Sequence, residues 1–122
     1  MSAAESGFFE LEESGDVVVA RMRVGTIRHP PQAQEFSRDL VELLEVYKRL
    51  KVVVNLRGVH YFGSSAFAAL FGLAKRLADA GGRLALCELD PDLLTGANIL
   101  GLGTVATMYE TQAEAVNSFA KA

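Results

Sequence analysis

The sequence predicts an α/β fold: one domain with a mixed, mostly parallel sheet of about five strands and about four helices. Two short apolar runs flank the turn-forming residues Ser14–Asp16, which is typical of an antiparallel hairpin. The run Val52–Leu56 is short and rich in β-branched residues, as expected of a strand covered on both faces. Beyond the hairpin, segments with helical spacing alternate with such runs, which predicts parallel strands joined by crossover helices.

The first part of the chain predicts two strands and one long helix. The strands are Phe8–Glu12 and Val17–Met22. The pair Pro30-Pro31 interrupts extended structure, and proline is well tolerated in the first turn of a helix. Apolar residues then recur at helical spacing, which predicts a helix from Pro31 to Arg49. These apolar positions are Phe36, Leu40, Leu43, Leu44, Tyr47 and Leu50.

The segment after the strand Val52–Leu56 predicts a second helix. It begins at the paired serines Ser64 and Ser65, and Gly81-Gly82 ends it. Its apolar residues share one helical face, while Lys75, Arg76 and Asp79 fall elsewhere. The apolar face consists of Phe67, Leu70, Phe71, Ala74, Leu77 and Ala78.

The last third of the chain predicts two more strands and two more helices. After a strand over Arg83–Glu88, Asp90-Pro91 supplies a cap and a first-turn proline for a third helix that ends at Gly101 and Gly103. A short strand over Val105–Tyr109 follows. Next, Thr111–Glu114 has the pattern of a capping box, which predicts a last short helix.

Length and composition exclude several classes of protein. The 122 residues suit one domain over 1–122, with a disordered N-terminus over 1–6. The net charge is −3 and the lysines and arginines are scattered, so we expect no nucleic-acid partner. No signal peptide and no stretch of about 18 uncharged apolar residues occurs, so we expect a cytoplasmic protein that is not inserted in a membrane. Cys87, the single cysteine, lies in an apolar run and is expected to be a buried small hydrophobic residue.

No pattern in the chain predicts catalysis or a bound cofactor. His29 and His60 lie far apart and lack the spacing of metal ligands, so we expect no metal site. Gly101-Leu102-Gly103 lacks the third glycine of a dinucleotide-binding loop, and no phosphate-binding loop ending in Lys-Ser or Lys-Thr occurs. The segment Gly63–Ala66 lacks the flanking glycines of a hydrolase nucleophile turn. We therefore predict no catalytic residues, no cofactor and no enzyme activity.

The most informative segment is Val52–Phe67, in which a buried strand runs through a short loop into the paired serines. The first turn of a helix exposes backbone N–H groups and favours negative charge. A serine there is a natural helix cap and also a good place to hold a phosphate. The residues alone leave open whether Ser64 or Ser65 only caps the helix or carries a regulatory modification.

The order of elements, this segment and the turn Gly81-Gly82 resemble the STAS domain, the sulphate transporter and anti-sigma factor antagonist family. The resemblance extends over nearly the whole chain, as one STAS-like domain. Its most diagnostic stretch is Asp-Ser-Ser-Gly or Asp-Ser-Thr-Gly at a helix start. The matching residues here are Gly63, Ser64, Ser65 and Ala66, so both serines are in register, and the acid and the glycine are absent.

The resemblance implies a non-enzymatic partner-switching regulator, of the kind that antagonises an anti-sigma factor and so controls transcription. Its partner would be a serine kinase that is also an anti-sigma factor, and phosphorylation would release that partner. The position that family members phosphorylate falls on Ser65, with Ser64 as a cap or secondary site. The partner would dock on the loop and helix start between Phe62 and Ala69. The expected partner-binding residues are Phe62, Gly63, Ser64, Ser65, Ala66 and Ala69, with Tyr61 as a further candidate.

Two alternatives remain open at this point. The first is a cytoplasmic STAS interaction subunit of a transporter, which would use the same surface without phosphorylation and would have a transporter ATPase as its partner. The absent acid favours it, because a kinase that recognises that carboxylate would lose a contact at Gly63. The second is a small enzyme or nucleotide-binding domain, which only the α/β pattern supports.

Overall fold

The computed structural model describes residues 6–120, and within them strands and helices alternate as the sequence predicts. A short 3₁₀ helix over Leu102–Thr104 precedes the last strand. In chain order the elements are β1 (Phe9–Ser14), β2 (Val17–Met22), β3 (Thr26–Ile27), α1 (Pro30–Tyr47), β4 (Lys51–Asn55), β5 (Tyr61–Phe62), α2 (Ser64–Asp79), β6 (Arg83–Cys87), α3 (Pro91–Ile99), β7 (Thr107–Tyr109) and α4 (Gln112–Ser118).

The main sheet has five strands in the order β1-β2-β4-β6-β7, and only the β1-β2 pair is antiparallel. The central strand β4 pairs with β2 on one side and with β6 on the other. Val52 and Val54 belong to one core and Val53 to another, so β4 is covered on both faces. The predicted mixed, mostly parallel sheet with four helices is therefore confirmed.

The two faces of the sheet are covered by different helices. Each crossover moves to the next strand in the same direction, and right-handed crossovers of this kind place their helices on one common face. On that face α1, α2 and α3 form the larger core with residues such as Phe36, Leu70 and Leu93. On the other face α4 packs Ala115 and Phe119 against the strands.

A second, two-stranded sheet was not expected from the sequence. β3 pairs in parallel with β5, with Thr26 opposite Tyr61 and Ile27 opposite Phe62. Strands of two residues are too short to show a hydrophobic period, so no sequence pattern indicates them. This pairing joins the chain that enters α1 to the chain that enters α2.

Most predicted boundaries differ from the structure by one or two residues, and three of the differences have a structural explanation. The first helix was predicted over Pro31–Arg49, but α1 ends at Tyr47 because Lys48 has a left-handed backbone (φ 51°). The last strand was predicted from Val105, but β7 begins only after the 3₁₀ helix. The predicted disordered segment 1–6 lies outside the described residues except for Ser6, which is buried and donates to Asp39 at 2.7 Å. Ser6 therefore belongs to the folded domain.

Cys87 is buried, as the sequence predicts. Burial away from water raises the pKa of its thiol to about 12, and the nearby charge of Glu88 acts in the same direction. The thiolate is the reactive form of cysteine, so a thiol with this pKa is a poor nucleophile at neutral pH. Cys87 serves as a core residue.

The turn at Gly81-Gly82 ends α2 with two backbone hydrogen bonds to its last turn. The Gly82 amide donates to the Leu77 carbonyl at 2.6 Å, and the Gly81 amide donates to the Ala78 carbonyl at 3.1 Å. This is the Schellman pattern, in which glycine provides the left-handed conformation (φ 86° at Gly81). Gly82 is needed for a different reason: a Cβ there would lie 2.9 Å from the Leu50 Cβ and still closer to the Leu50 carbonyl oxygen.

We therefore expect Gly82→Ala to lower the free energy of unfolding by about 1–3 kcal/mol, because backbone rather than a flexible side chain must shift. Gly72→Ala is the matched control, since a Cβ at this position in α2 would have no other atom within 4 Å. That change should raise stability by about 0.5–1 kcal/mol through better helix propensity. Urea unfolding of both variants measures the difference, and equal stabilities would contradict the packing at Leu50.

Candidate functional site

The loop between β4 and β5 carries the chain from the sheet to the paired serines. The Leu56 amide donates to the Cys87 carbonyl at 2.9 Å, so the parallel pairing of β4 with β6 extends one residue past the strand end. The Val59 amide then donates back to the Leu56 carbonyl at 3.0 Å. Gly58 has a φ of 84°, a conformation that glycine adopts readily. The loop is therefore a tight turn held by its own backbone.

Asn55 anchors this loop through its side chain. Its side-chain oxygen accepts a hydrogen bond from the Arg57 amide at 2.9 Å. Its side-chain nitrogen donates to Gln112 at 2.8 Å and to Glu88 at 3.1 Å. Asn55 is only 5 % exposed, so water could not replace these bonds easily. One amide thereby joins the end of β4 to the segment after β6 and to the first turn of α4.

Glu88 completes the same network. Its φ of 59° is uncommon for a residue other than glycine. In this conformation one carboxylate oxygen accepts from both the Asn55 side chain and the Gln112 backbone amide, the latter at 3.0 Å. A carboxylate at the first turn of a helix is favourable, because the backbone N–H groups there are otherwise without partners.

The β3-β5 sheet then directs the chain into α2. Both the His60 and the Tyr61 amides donate to the Gly25 carbonyl, and the Gly63 amide donates to the Ile27 carbonyl at 2.8 Å. A Cβ at Gly63 would lie 3.2 Å from the Arg28 carbonyl oxygen, which is closer than side chains normally approach. A side chain at this position would therefore require the Arg28 carbonyl to shift by a few tenths of an ångström.

The paired serines lie in the first turn of α2, directly after its N-cap residue. Gly63 is the N-cap, with φ −70° and ψ 166°, and Ser64 and Ser65 are the first two helical residues. Of the two roles expected for Ser64, that of a cap is therefore wrong, because the extended backbone that a cap requires is at Gly63, while that of a secondary phosphorylation site stays a prediction. Ser64 is exposed and Ser65 is half-buried.

A shallow groove of about 260 Å³ lies beside Ser65, between α1 and α2. The residues along it are small or polar without charge, so the groove can admit a narrow, uncharged segment of a partner. Phosphorylation of Ser65 would bring about −1.5 to −2 charge units to this neutral surface. The lining residues are Pro30, Ala33, Gln34, Ser37, Ser65, Ala68 and Ala69.

The other predicted partner-binding residues are buried. Phe62 is 5 % exposed, and its ring centroid lies 5.8 Å from that of Phe36 and 5.5 Å from that of Phe67. Ala66 is fully buried and Ala69 is 8 % exposed at the edge of the groove. Gly63 is also buried. Among the six predicted residues, Ser64 and Ser65 thus offer the most accessible side chains, while Phe62 and Ala66 support them from the core.

Two exposed residues next to the helix start form a pair that the sequence did not reveal. The Arg28 guanidinium carbon lies 4.9 Å from the centre of the Tyr61 ring, within the range of a cation–π contact. Tyr61 was a candidate, and it is 46 % exposed. Arg28 was missed because only the unpredicted pairing of β3 with β5 brings it near. The surface at the start of α2 therefore includes a cation and an aromatic ring.

The described residues 6–120 contain no group of three or more His, Cys, Asp or Glu side chains arranged to hold a metal ion. His60 contacts Asp90 instead, with its Nδ1 atom 3.7 Å from a carboxylate oxygen, and its side chain is 77 % exposed. Asp90 is meanwhile the cap of α3, accepting from the Leu93 amide at 2.8 Å. Asp90 thus combines the cap of α3 with a contact to His60.

Comparison with known proteins identifies one family. The STAS domain family model matches residues 9–115. An anti-sigma F factor antagonist from Paenibacillus polymyxa is 21 % identical over 107 residues, which cover 88 % of this chain and 90 % of that protein. The match therefore spans nearly the whole of both proteins.

Solved structures share the fold. An anti-sigma-factor antagonist (STAS) domain protein from Planctomyces limnophilus superposes with a TM-score of 0.81 at 22 % identity, covering 92 % of this chain and 97 % of that one. The Bacillus cell fate determinant SpoIIAA in its phosphorylated form superposes with a TM-score of 0.68 at 20 % identity, covering 91 % and 98 %. At these identities the likeness concerns the fold alone.

The role of Asn55 can be tested by Asn55→Asp, which replaces the buried amide with a carboxylate beside Glu88. We expect a loss of about 2–3 kcal/mol at pH 7, because the donor to Glu88 and Gln112 is removed and like charges are brought together. Repulsion raises the pKa of the introduced carboxyl in the folded state, so the folded protein binds the extra proton more readily. The loss should therefore shrink as the pH falls from 7 toward 5.

Asn117→Asp is the control, since Asn117 is exposed on α4. Its effect on stability should stay within about 0.5 kcal/mol. Urea unfolding of both variants at several pH values checks the prediction. A loss for Asn55→Asp that does not depend on pH would contradict the proposed repulsion.

Proposed function

Because the chain belongs to the STAS domain family, we propose that it is a non-enzymatic, partner-switching regulator of the anti-sigma factor antagonist type. It binds a protein partner through the start of α2 and the groove between α1 and α2. The proposed partner is a serine kinase that also acts as an anti-sigma factor, and the proposed place of action is the cytoplasm. No helix among residues 6–120 has the length and apolar character needed to cross a bilayer.

The observation that carries the proposal is the position of the paired serines. Both lie in the first turn of α2, where no acidic residue is present. Ser64 is exposed and Ser65 opens onto the uncharged groove. A phosphate on either serine would find backbone N–H groups at the helix start, so the helix itself could tolerate the modification.

Phosphorylation would act on the partner rather than on the fold. A docked segment that fits the neutral groove would meet a group of about −1.5 to −2 charge units with three strong acceptor oxygens. It would lose space and would have to desolvate that charge, so binding would weaken. Ser65 is the primary candidate, because it matches the family position and lines the groove.

Gly63 removes one contact that a kinase could use at this site. The family aspartate is absent, and a Cβ at Gly63 would lie 3.2 Å from the Arg28 carbonyl oxygen, a tight contact. The Arg28-Tyr61 pair offers an exposed cation and an aromatic ring just before the start of α2. The proposed kinase therefore recognises the serines without a carboxylate contact at Gly63, and an acidic or polar group on the kinase would suit Arg28.

We expect Ser65→Glu to weaken binding of the partner kinase by at least about tenfold, because a charge enters the uncharged groove. A tenfold change corresponds to about 1.4 kcal/mol. Ser65→Ala should bind like the wild type and should lose the phosphate. Binding is measured by titration calorimetry with the kinase isolated on the wild-type protein from the native cell. Phosphorylation is mapped by mass spectrometry after incubation with that kinase and ATP.

Ser14→Glu is the matched control, because Ser14 is an exposed serine at the end of β1. It makes the same change of charge and size away from α2 and should leave binding unchanged. The switch is refuted when neither Ser64 nor Ser65 carries phosphate and Ser65→Glu binds like the wild type. A transporter ATPase that binds wild type and Ser65→Glu equally would instead support the alternative of a transporter interaction subunit.

A further inference from the structure

A cavity lies at the carboxyl ends of the parallel strands, next to the start of α4. Three arginines line it, Arg21, Arg23 and Arg57, and we call it the arginine cavity. Its volume is about 460 Å³, within the range of about 300–1,000 Å³ that is usual for small-molecule sites. The carboxyl ends of parallel strands are also the edge at which α/β proteins commonly bind small ligands.

The strand register brings Arg23 and Arg57 to the ends of neighbouring strands. In the parallel pair β2-β4, Arg21 lies opposite Asn55. Arg23 and Arg57 follow these two partners by two residues each, and neighbouring strands are about 4.8 Å apart. The Arg23 amide donates to the Phe8 carbonyl at 2.7 Å, so β2 continues to pair with the chain at this point. The Arg57 amide is held in turn by the Asn55 side chain. Hydrogen bonds therefore hold the backbone of both arginines.

The two carboxylates that line the cavity already have partners. Glu10 accepts a hydrogen bond from the Arg21 guanidinium at 3.0 Å. One oxygen of Glu88 accepts from both the Asn55 side chain and the Gln112 backbone amide. Glu88 is therefore held in the network that anchors the loop after β4, and Glu10 is paired with Arg21.

Arg23 and Arg57 are the cations of the cavity that have no such partner. Neither guanidinium takes part in an ion pair or a cation–π contact within the part of the chain that the structure describes. Both residues are exposed, and a guanidinium stays charged at physiological pH. Its planar fork of N–H groups matches two oxygens of a carboxylate or a phosphate. Two such groups at one cavity therefore suit a ligand with two negative charges.

The walls of the cavity are polar. Met22 is the one apolar residue along it among residues 6–120, and it packs against the larger core. The side-chain amides of Asn55 and Gln112 also line the cavity. A ligand with a large apolar part would gain little here, whereas a polar ligand would find hydrogen-bonding groups.

From this combination we propose that the arginine cavity binds a small polar dianion, a molecule with a phosphate group or with two carboxylates. Its charged groups contact Arg23 and Arg57. A nucleic-acid backbone is disfavoured, because Glu10 and Glu88 lie along the same cavity and would repel successive phosphates. A compact dianion avoids this repulsion by placing all its charge at the two free guanidinium groups.

This site goes beyond the proposed switch. The arginine cavity and the groove beside Ser65 share no lining residue, and no residue of α2 lines the arginine cavity. The dianion can therefore bind whether or not a serine is phosphorylated.

The test uses glycerol 3-phosphate and succinate as probes, with glycerol as the uncharged reference. The full-length ¹⁵N-labelled protein is titrated at about pH 8, where both probes are dianions. We expect at least one dianion to shift the amide signals of residues 21–23 and 55–57 in a saturable way, and glycerol to leave them unchanged. The probe that binds more tightly shows whether the site prefers a phosphate or a dicarboxylate.

Arg23→Gln and Arg57→Gln should each weaken the bound probe by about tenfold, because charge-assisted hydrogen bonds are lost. The fold should survive, since both side chains are exposed. Arg76→Gln is the matched control: it removes an exposed arginine in the last turn of α2, on the other face of the sheet. That variant and Ser65→Glu should bind the probe like the wild type.

Four results would overturn the proposal. The first is that neither dianion shifts the signals of residues 21–23 and 55–57, or that glycerol shifts them equally. The second is that Arg23→Gln and Arg57→Gln both bind like the wild type. The third is an equal weakening by Arg76→Gln, which would show an effect of net charge alone. The fourth is complete loss of binding in about 0.15 M sodium chloride, which would indicate an adventitious ion only.

Discussion

The position of the paired serines depends on the buried side-chain amide of Asn55. This group accepts from the Arg57 amide and donates to Gln112 and Glu88, so it connects the ends of two parallel strands with the start of α4. A buried amide with its hydrogen bonds satisfied is stable, and one without them would be costly. The loop that follows Asn55 is therefore anchored to the segment after β6 and to α4, and this anchoring helps to set where α2 begins relative to the sheet.

No side-chain hydrogen bond caps the start of α2. Gly63 occupies the cap position with its amide bonded to Ile27 and the Arg28 carbonyl close to where a Cβ would lie. Ser64 and Ser65 consequently have hydroxyls that are not used as caps. A modification of either hydroxyl would therefore leave the cap of α2 in place.

The start of α2 combines three features on one surface: the hydroxyls of Ser64 and Ser65, an uncharged groove and the Arg28-Tyr61 pair. The groove lies between α1 and α2, so both helices form its walls. A phosphate on Ser65 would change the charge and the shape of this surface together.

The sequence by itself determined the fold class, the main strands and helices, the buried Cys87 and the family, because each rests on a local period, a turn residue or a linear motif. Only the tertiary structure decided the features that join residues far apart along the chain. The β3-β5 pairing has no periodic signal, and it alone places Arg28 beside Tyr61. The side chain of Asn55 is hydrogen-bonded to Glu88 and Gln112, which lie 33 and 57 residues further along the chain. The exposure of Ile99 and the burial of Phe62 depend on which helices pack against which face, and hydrophobicity alone does not reveal that.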